Sequence, residues 1–448
     1  MTPSLDRQIS RSILIIAVTG LVQDPLRKAL PGQPAYWVML FLLPAICGLF
    51  WQSRDALLLA LMSRGHRGLV RLLLGMIVVS ASFARIWPSA SGENLNLLQL
   101  GLIAPFSGIV GFFWGALFID NISSTSRQQI VRRLCLLTGV FCIGTLVELF
   151  AAHDHSLMWL GPMPPYRPWY RTIDADRFRM LCGFFRSPET AGWFSAMLMP
   201  WICAIATVPS ATKDKRWGWP LLSAFAVFAV FVCVLAGRRK MQLTMLLAAL
   251  GLVGLLHWSG ERNSSRRCLR VVVMSLLAGC LLVACVPKAE LYLGYFSTSP
   301  VHAPLRTLES TVVPILSSAE EIPWFGKGLG EMTPGRQHVG GKSLMYSEGG
   351  MVRVFVETGW IGLPVFVVIL LILITRCLAP FRDQPREIVE SCDADRVLIA
   401  CATSTVIASV FAFLIGHQVF GDPLVMFATG AALAIALPRG KHDARLVD

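Results

Sequence analysis

About twelve apolar runs follow one another along the chain, each near the length of helix that crosses the hydrocarbon core of a bilayer. They fall at about 10–24, 35–51, 68–87, 97–119, 134–152, 189–208, 217–236, 241–258, 269–286, 359–378, 396–417 and 421–437. A water-soluble fold could not cover so many of them, because only 15% of the residues are charged, against ~25% in ordinary soluble domains. The runs therefore predict an all-α fold, a polytopic transmembrane helix bundle of about 12 spans. Residues 1–448 form a single integral membrane domain, with a long, partly helical loop at 287–350 inserted between spans nine and ten. The apolar core of the first run, Ser12 to Val22, follows Arg7 and Arg11 and resembles a signal peptide, but no small-residue cleavage site comes after it, so it reads as a short first span.

The formal charge of +13 would suggest nucleic acid in a soluble protein, yet its distribution has a simpler cause. With the N-terminus inside, the predicted cytoplasmic loops contain Arg54, Arg64 and Arg67, then Arg127, Arg132 and Arg133, then Lys213, Lys215 and Arg216. Arg262, Arg266 and Arg267 follow, then Arg376, Arg382 and Arg386, and the C-terminal tail adds Arg439, Lys441 and Arg445. Basic inner loops are what membrane insertion selects, and the outer loop at 88–96 has no Lys or Arg.

Three outer segments break this pattern. Residues 166–189 contain Arg167, Arg171, Arg177, Arg179 and Arg186; residues 237–240 read Gly-Arg-Arg-Lys; and 288–353 is the long loop. Cations held against the insertion bias are explained by an anionic ligand, or alternatively by lipid headgroups. In the long loop, of about 60 residues, the apolar pieces 305–316 and 322–325 suggest helix packed on the bundle. The sequence Trp324-Phe325-Gly326-Lys327-Gly328-Leu329-Gly330 is a turn able to bring backbone N–H groups near an anion. The aromatic segment 159–170 fits an acceptor groove or an interfacial aromatic belt. No CxxC pair or Cys/His cluster has metal-ligand spacing, so no zinc or iron–sulfur site is expected, and no other cofactor is invoked.

Three local patterns coincide: Gly183-Phe184-Phe185-Arg186-Ser187-Pro188-Glu189 at the start of span six, Gly-Arg-Arg-Lys between spans seven and eight, and Glu357-Thr358-Gly359-Trp360-Ile361-Gly362 after the long loop. With the span count, the chain resembles the bacterial O-antigen ligase and polysaccharide polymerase family of inner-membrane glycosyltransferases, over roughly residues 130–437. The resemblance implies metal-independent transfer of a glycan from undecaprenyl pyrophosphate to an acceptor hydroxyl at the periplasmic face, with both termini cytoplasmic. It implies arginines that hold the pyrophosphate, matched here by Arg179 or Arg186, Arg238 or Arg239, and Arg306, with Lys240 beside them. The implied partners are the lipid-linked oligosaccharide, an acceptor glycan, the lipid bilayer, and flippase, chain-length or export proteins, without nucleic acid.

In the ligases a His-Asn-like pair lies eleven residues before the first Gly of the Gly-x-x-Gly motif; here that position is Glu348, followed by Gly349. This departure favours a polymerase of exopolysaccharide, capsule or O-antigen over ligase-type transfer to lipid A core or protein. Glu348 is the candidate base for the acceptor hydroxyl, or else a helix cap, and His338 is second in rank. Glu357 is expected to be structural, pairing with Arg353 one helical turn away. A flippase for lipid-linked oligosaccharide is the alternative of another class; it would carry charges along a path within the spans and internal repeats.

Overall fold

The computed structural model describes residues 3–29, 42–48, 75, 78, 94–151, 170–173, 176–207, 215–318, 320–333, 349–382 and 393–437. Helices dominate them. In chain order these are α1 (Pro3–Ala29), α2 (Asn94–Asn121), α3 (Ser124–Ala151), α4 (Pro188–Thr207), α5 (Lys215–Leu235), α6 (Arg239–Trp258) and α7 (Arg262–Ala284). Then come α8 (Ala289–Ser297), α9 (Ser299–Ser317), α10 (Gly350–Arg382), α11 (Asp393–Ile415) and α12 (Pro423–Ala436). Among the described residues, 7 helices are long and apolar enough to cross a membrane, within α1, α2, α3, α6, α7, α10 and α11. Helices α4, α5 and α12 also lie on expected apolar runs, the last two with shorter apolar stretches, Pro220–Leu235 and Pro423–Ala436. The runs expected at 35–51 and 68–87 fall largely outside the described residues.

One element was not expected. Strands β1 (Tyr170–Ile173) and β2 (Asp176–Arg179) pair antiparallel, with Arg171 opposite Phe178 and Ile173 opposite Asp176. A connection of two residues suits a hairpin, and Thr172 and Ile173 are β-branched. The long loop is helical at α8 and α9; the piece 322–325, expected as helix, is a turn.

The chain divides into two compact units. The first comprises Met1–Gln52, Leu117–Val301 and Gln384–Ser409. Its centre is α4, which packs against α3, α5, α6 and α7. Small residues permit these close approaches: a Cβ on Gly192 would meet Met241 of α6, one on Gly139 would meet Phe225 of α5, and one on Gly279 of α7 would meet Val230. Such contacts hold helices together in lipid, where apolar burial supplies no drive between them. At one end of this unit Arg127 of α3 bonds Asp395 of α11 at 2.8 Å. Because consecutive helices run in alternate directions, the opposite end gathers the C-termini of α3, α5 and α7 with the N-termini of α4 and α6.

The second unit comprises Ser53–Ala116, His302–Asp383 and Val410–Asp448. Here α2 lies against α12 with backbones nearly touching, so that Cβ atoms on Gly108, Gly111 and Gly115 would run into Met426, Phe427 and Ala431. Asp422 starts α12 by accepting from the Leu424 N–H at 2.9 Å, with Pro423 at the first helical position. Helix α10 has 33 residues, about 50 Å of rise and too long for one span of a ~30 Å core. It breaks at Gly359, whose φ of 72° and ψ of −165° are accessible only to glycine. A core of Ile322, Met332, Val352, Phe355 and Val356 fills the space between the loop and the first part of α10.

Candidate functional site

Five of the cations singled out in the sequence, Arg179, Arg186, Arg238, Arg239 and Lys240, lie at one end of the first unit. Ser187 starts α4 by accepting from the Thr190 N–H at 3.3 Å, Pro188 takes the first helical position, and Glu189 falls in the first turn. Glu189 is buried and lies 2.6 Å from the guanidinium of Arg238, itself buried in the turn between α5 and α6. That turn is fixed by Gly237, whose φ of +61° leaves no room for a side chain beside Phe178 and Met180. The Leu181 N–H donates to the Leu235 carbonyl at 3.0 Å, tying the residues after β2 to the end of α5.

Arg179 is organised from beneath by a residue that sequence reasoning missed. Glu148, near the end of α3, accepts from Arg179 Nη2 at 3.0 Å and from the N–H groups of Cys182 and Gly183, each at 2.7 Å. A carboxylate buried at the end of an apolar helix needs such partners, because desolvation without them is prohibitive. The turn wraps closely: Gly183 has a φ of +54° and sits against the backbone of Gly144 and Thr145. The neighbouring Arg186 N–H donates to Asp24 of α1 at 2.9 Å.

Arg239, the first residue of α6, is placed differently from Arg238. Its guanidinium lies 4.0 Å from the ring centre of Tyr295 and donates to Thr298 Oγ1 at 3.2 Å. Arg171 of β1 also faces the Tyr295 ring, at 5.4 Å. Tyr295 and Tyr292 of α8 pack edge-on against Phe178, at 5.8 and 4.8 Å between ring centres. The Tyr292 hydroxyl donates to the Arg179 carbonyl. Burial, reinforced by Glu148 and opposed by Arg179, pushes the Tyr292 phenol well above the usual tyrosine range, so it stays a donor. Lys240 is buried one residue further along α6.

The structure thus places Arg179, Arg186, Arg238, Arg239 and Lys240 at this end of the unit, where Glu148 pairs with Arg179, Glu189 with Arg238, and Asp24 accepts from the Arg186 backbone N–H. A group of guanidinium side chains of this kind can hold an anion with more than one charge. Arg306 lies on α9, in the second unit. Glu348 and His338 lie outside the described residues. The aromatic segment 159–170 does too, apart from Tyr170.

The glycine-rich turn of the second unit behaves as its composition suggests, toward an anion that belongs to the chain. Glu357 accepts from the N–H groups of Gly330 at 3.2 Å and Met332 at 3.3 Å, and from Arg353 Nε at 3.2 Å. The expected pairing of Arg353 with Glu357 is present. Lys327 and Gly328 donate their N–H groups to the carbonyls of Val356 and Glu357, at 2.7 and 3.2 Å. Gly326, Gly328 and Gly330 all have φ above +70°, which this winding requires.

Among the described residues, no three His, Cys, Asp or Glu side chains stand where they could share a metal ion. Glu148 had a signal in the sequence, being the lone acid in the run 134–152, and ionisable residues in such runs are functional candidates by default. Compared with known families and with curated proteins, the chain matches no family model and no curated sequence.

Proposed function

We propose that this protein is a membrane glycosyltransferase that takes a glycan repeat unit from an undecaprenyl pyrophosphate carrier and adds it to a growing exopolysaccharide, capsule or O-antigen chain. The reading places about 12 spans in the bacterial inner membrane, both termini in the cytoplasm, and the arginine cluster at the periplasmic face. The observation that carries it is the gathering of Arg179, Arg238 and Arg239 at one end of a unit built from apolar helices.

In the proposed reaction an acceptor hydroxyl oxygen attacks the anomeric carbon, the bond from that carbon to the pyrophosphate oxygen breaks, and the electron pair leaves with the pyrophosphate. Glu348 takes the hydroxyl proton. Guanidinium groups suit the leaving group because they stay charged and bind phosphate oxygens through paired N–H donors, each charge-assisted bond contributing ~1.5–3 kcal/mol. They accelerate transfer when these bonds tighten as charge develops on the departing oxygen.

The two adjacent arginines take separate roles. Arg238 is committed to Glu189 and shapes the turn, while Arg239, less buried and steadied by Tyr295 and Thr298, meets the pyrophosphate with Arg179.

The test uses purified full-length protein in liposomes supplied with lipid-linked repeat units on the active side. Chain growth that is lost in Arg239→Ala, with insertion and folding retained, supports the proposal. Movement of the lipid between leaflets without bond formation would identify a flippase instead. Glu348→Gln should lower turnover more than donor affinity; the reverse would make Glu348 a capping residue and raise His338. Labelling that places residues 237–240 in the cytosol would refute the scheme.

A further inference from the structure

Helix α9 has an exposed apolar stripe. Leu305, Leu308, Val312 and Leu316 recur at spacings of three and four, on one face of the helix, and are 59%, 68%, 45% and 67% exposed. The adjoining face is occupied, since Ile315 packs on the core of Ile322, Met332, Val352, Phe355 and Val356. The stripe is therefore not simply the helix's inner side.

The surface next to it indicates what covers it. Beyond the break at Gly359, α10 exposes Ile361, Val365, Val368 and Ile372 along one face of a helix apolar enough to span a membrane, and such a face meets acyl chains. The Ile361 N–H donates to the Trp324 carbonyl at 3.2 Å, so the turn after α9 is fixed to the top of that face. There Trp324 is 70% and Phe325 42% exposed, and exposed Trp360 adjoins them, as aromatic rings do where acyl chains give way to headgroups. The C-terminal end of α9 is anchored through Ile315 to the part of α10 just before that break.

We infer that α9 is an interfacial helix, with the stripe Leu305–Leu308–Val312–Leu316 seated in the lipid at the headgroup–acyl boundary and Trp324 and Phe325 marking that depth. The occupant is the bilayer surrounding the protein. Exposed Glu309 lies beside the stripe, between Leu316 and exposed Val313 around the helix. Arg306 and Glu309 are its opposite charges, so the attachment is apolar and does not depend on anionic lipid. It rests on the apolar helices and not on the proposed transfer chemistry.

The test places a genetically encoded nitroxide amino acid at Leu308, at Leu316 or at exposed Ser317, in the full-length protein reconstituted into phosphatidylcholine vesicles. Collision with dissolved oxygen is compared with collision with a water-soluble nickel chelate. At Leu308 and Leu316 oxygen should exceed nickel access by about threefold or more, with the order reversed at Ser317. The ratios should be the same in phosphatidylglycerol vesicles. Equal nickel access at all three positions would overturn the inference, as would low access to both reagents at Leu308 and Leu316, which would mean a protein occupant. A lipid signal found only with phosphatidylglycerol would overturn the apolar mode of attachment.

Discussion

Replacing Glu148 by Gln should loosen the turn that follows β2. The carboxylate divides its bonds: one oxygen receives Arg179, and the other receives both the Cys182 and Gly183 N–H groups. In Glu148→Gln the least costly rotamer turns the amide oxygen to the two backbone donors, which keeps those bonds but roughly halves their strength, a loss of about 2 kcal/mol. The amide NH2 then faces Arg179, whose bond is lost. Because that side chain is 22% exposed, water compensates in part, and about 1 kcal/mol is assigned to it. The total of about 3 kcal/mol corresponds to roughly a hundredfold rise in local opening. Hydrogen exchange of peptides covering residues 180–187, measured by mass spectrometry in lipid nanodiscs, reads this directly. Exchange within α7 should stay unchanged, since the loss is local. Arg179→Gln should have a smaller effect, because the carboxylate keeps both backbone donors. Unchanged exchange at 182 and 183 in Glu148→Gln would refute the account of Glu148 as the anchor of the turn.

In the second unit, Glu357→Gln should raise exchange at Gly330 and Met332 by about tenfold, less than at Glu148 because these bonds are longer, at 3.2 and 3.3 Å. Gly111→Ala would drive a Cβ into the Phe427 carbonyl of α12, where only backbone could yield, and should lower thermal stability by about 3 kcal/mol in a detergent melt. Gly254→Ala, in α6 with open space around it, should instead be neutral or stabilising by ~0.5–1 kcal/mol in the same melt. Tyr292 carries a pKa raised above the ordinary tyrosine value of 10.0. Its contribution to stability is thus fully present below that pH and lost as pH rises through the folded value. The melting difference between the native protein and Tyr292→Phe should accordingly shrink above pH 10, and a difference constant with pH would contradict it.

The apolar helices were legible because bilayer thickness sets the length of a run, and a run of that length needs no long-range information. The Arg353–Glu357 pair was legible for a similar reason, since residues four apart on a helix are neighbours wherever the helix goes. The partner of the glycine-rich turn was not. Its composition announced an anion, but the carboxylate it receives lies 27 residues ahead of Gly330. The same limit hid the links from Glu189 to Arg238 and from Glu148 to Arg179, which depend on how α3, α4 and the α5–α6 turn pack. The hairpin was not legible because four-residue strands rich in arginine carry no clear alternation, and their packing depends on Phe178 and the turn beyond it facing inward onto Tyr292, Tyr295 and α3.

The two units use one device. In each, a buried carboxylate on a long apolar helix receives one arginine and two backbone N–H groups of a turn containing glycine with positive φ: Glu148 with Arg179, Cys182 and Gly183, and Glu357 with Arg353, Gly330 and Met332. In an apolar surrounding a carboxylate is stable only with such a full set of donors, so the acid fixes the loop as much as the loop satisfies the acid. This has a consequence for any anion arriving from outside. The Cys182, Gly183, Gly330 and Met332 amides already serve an internal carboxylate, and an external phosphate taking them would have to displace it, leaving a buried charge behind. The proposed pyrophosphate therefore meets guanidinium groups and not loop amides. Under the proposal Arg239 meets it from α6, where an aromatic ring and a hydroxyl help to hold the guanidinium in place.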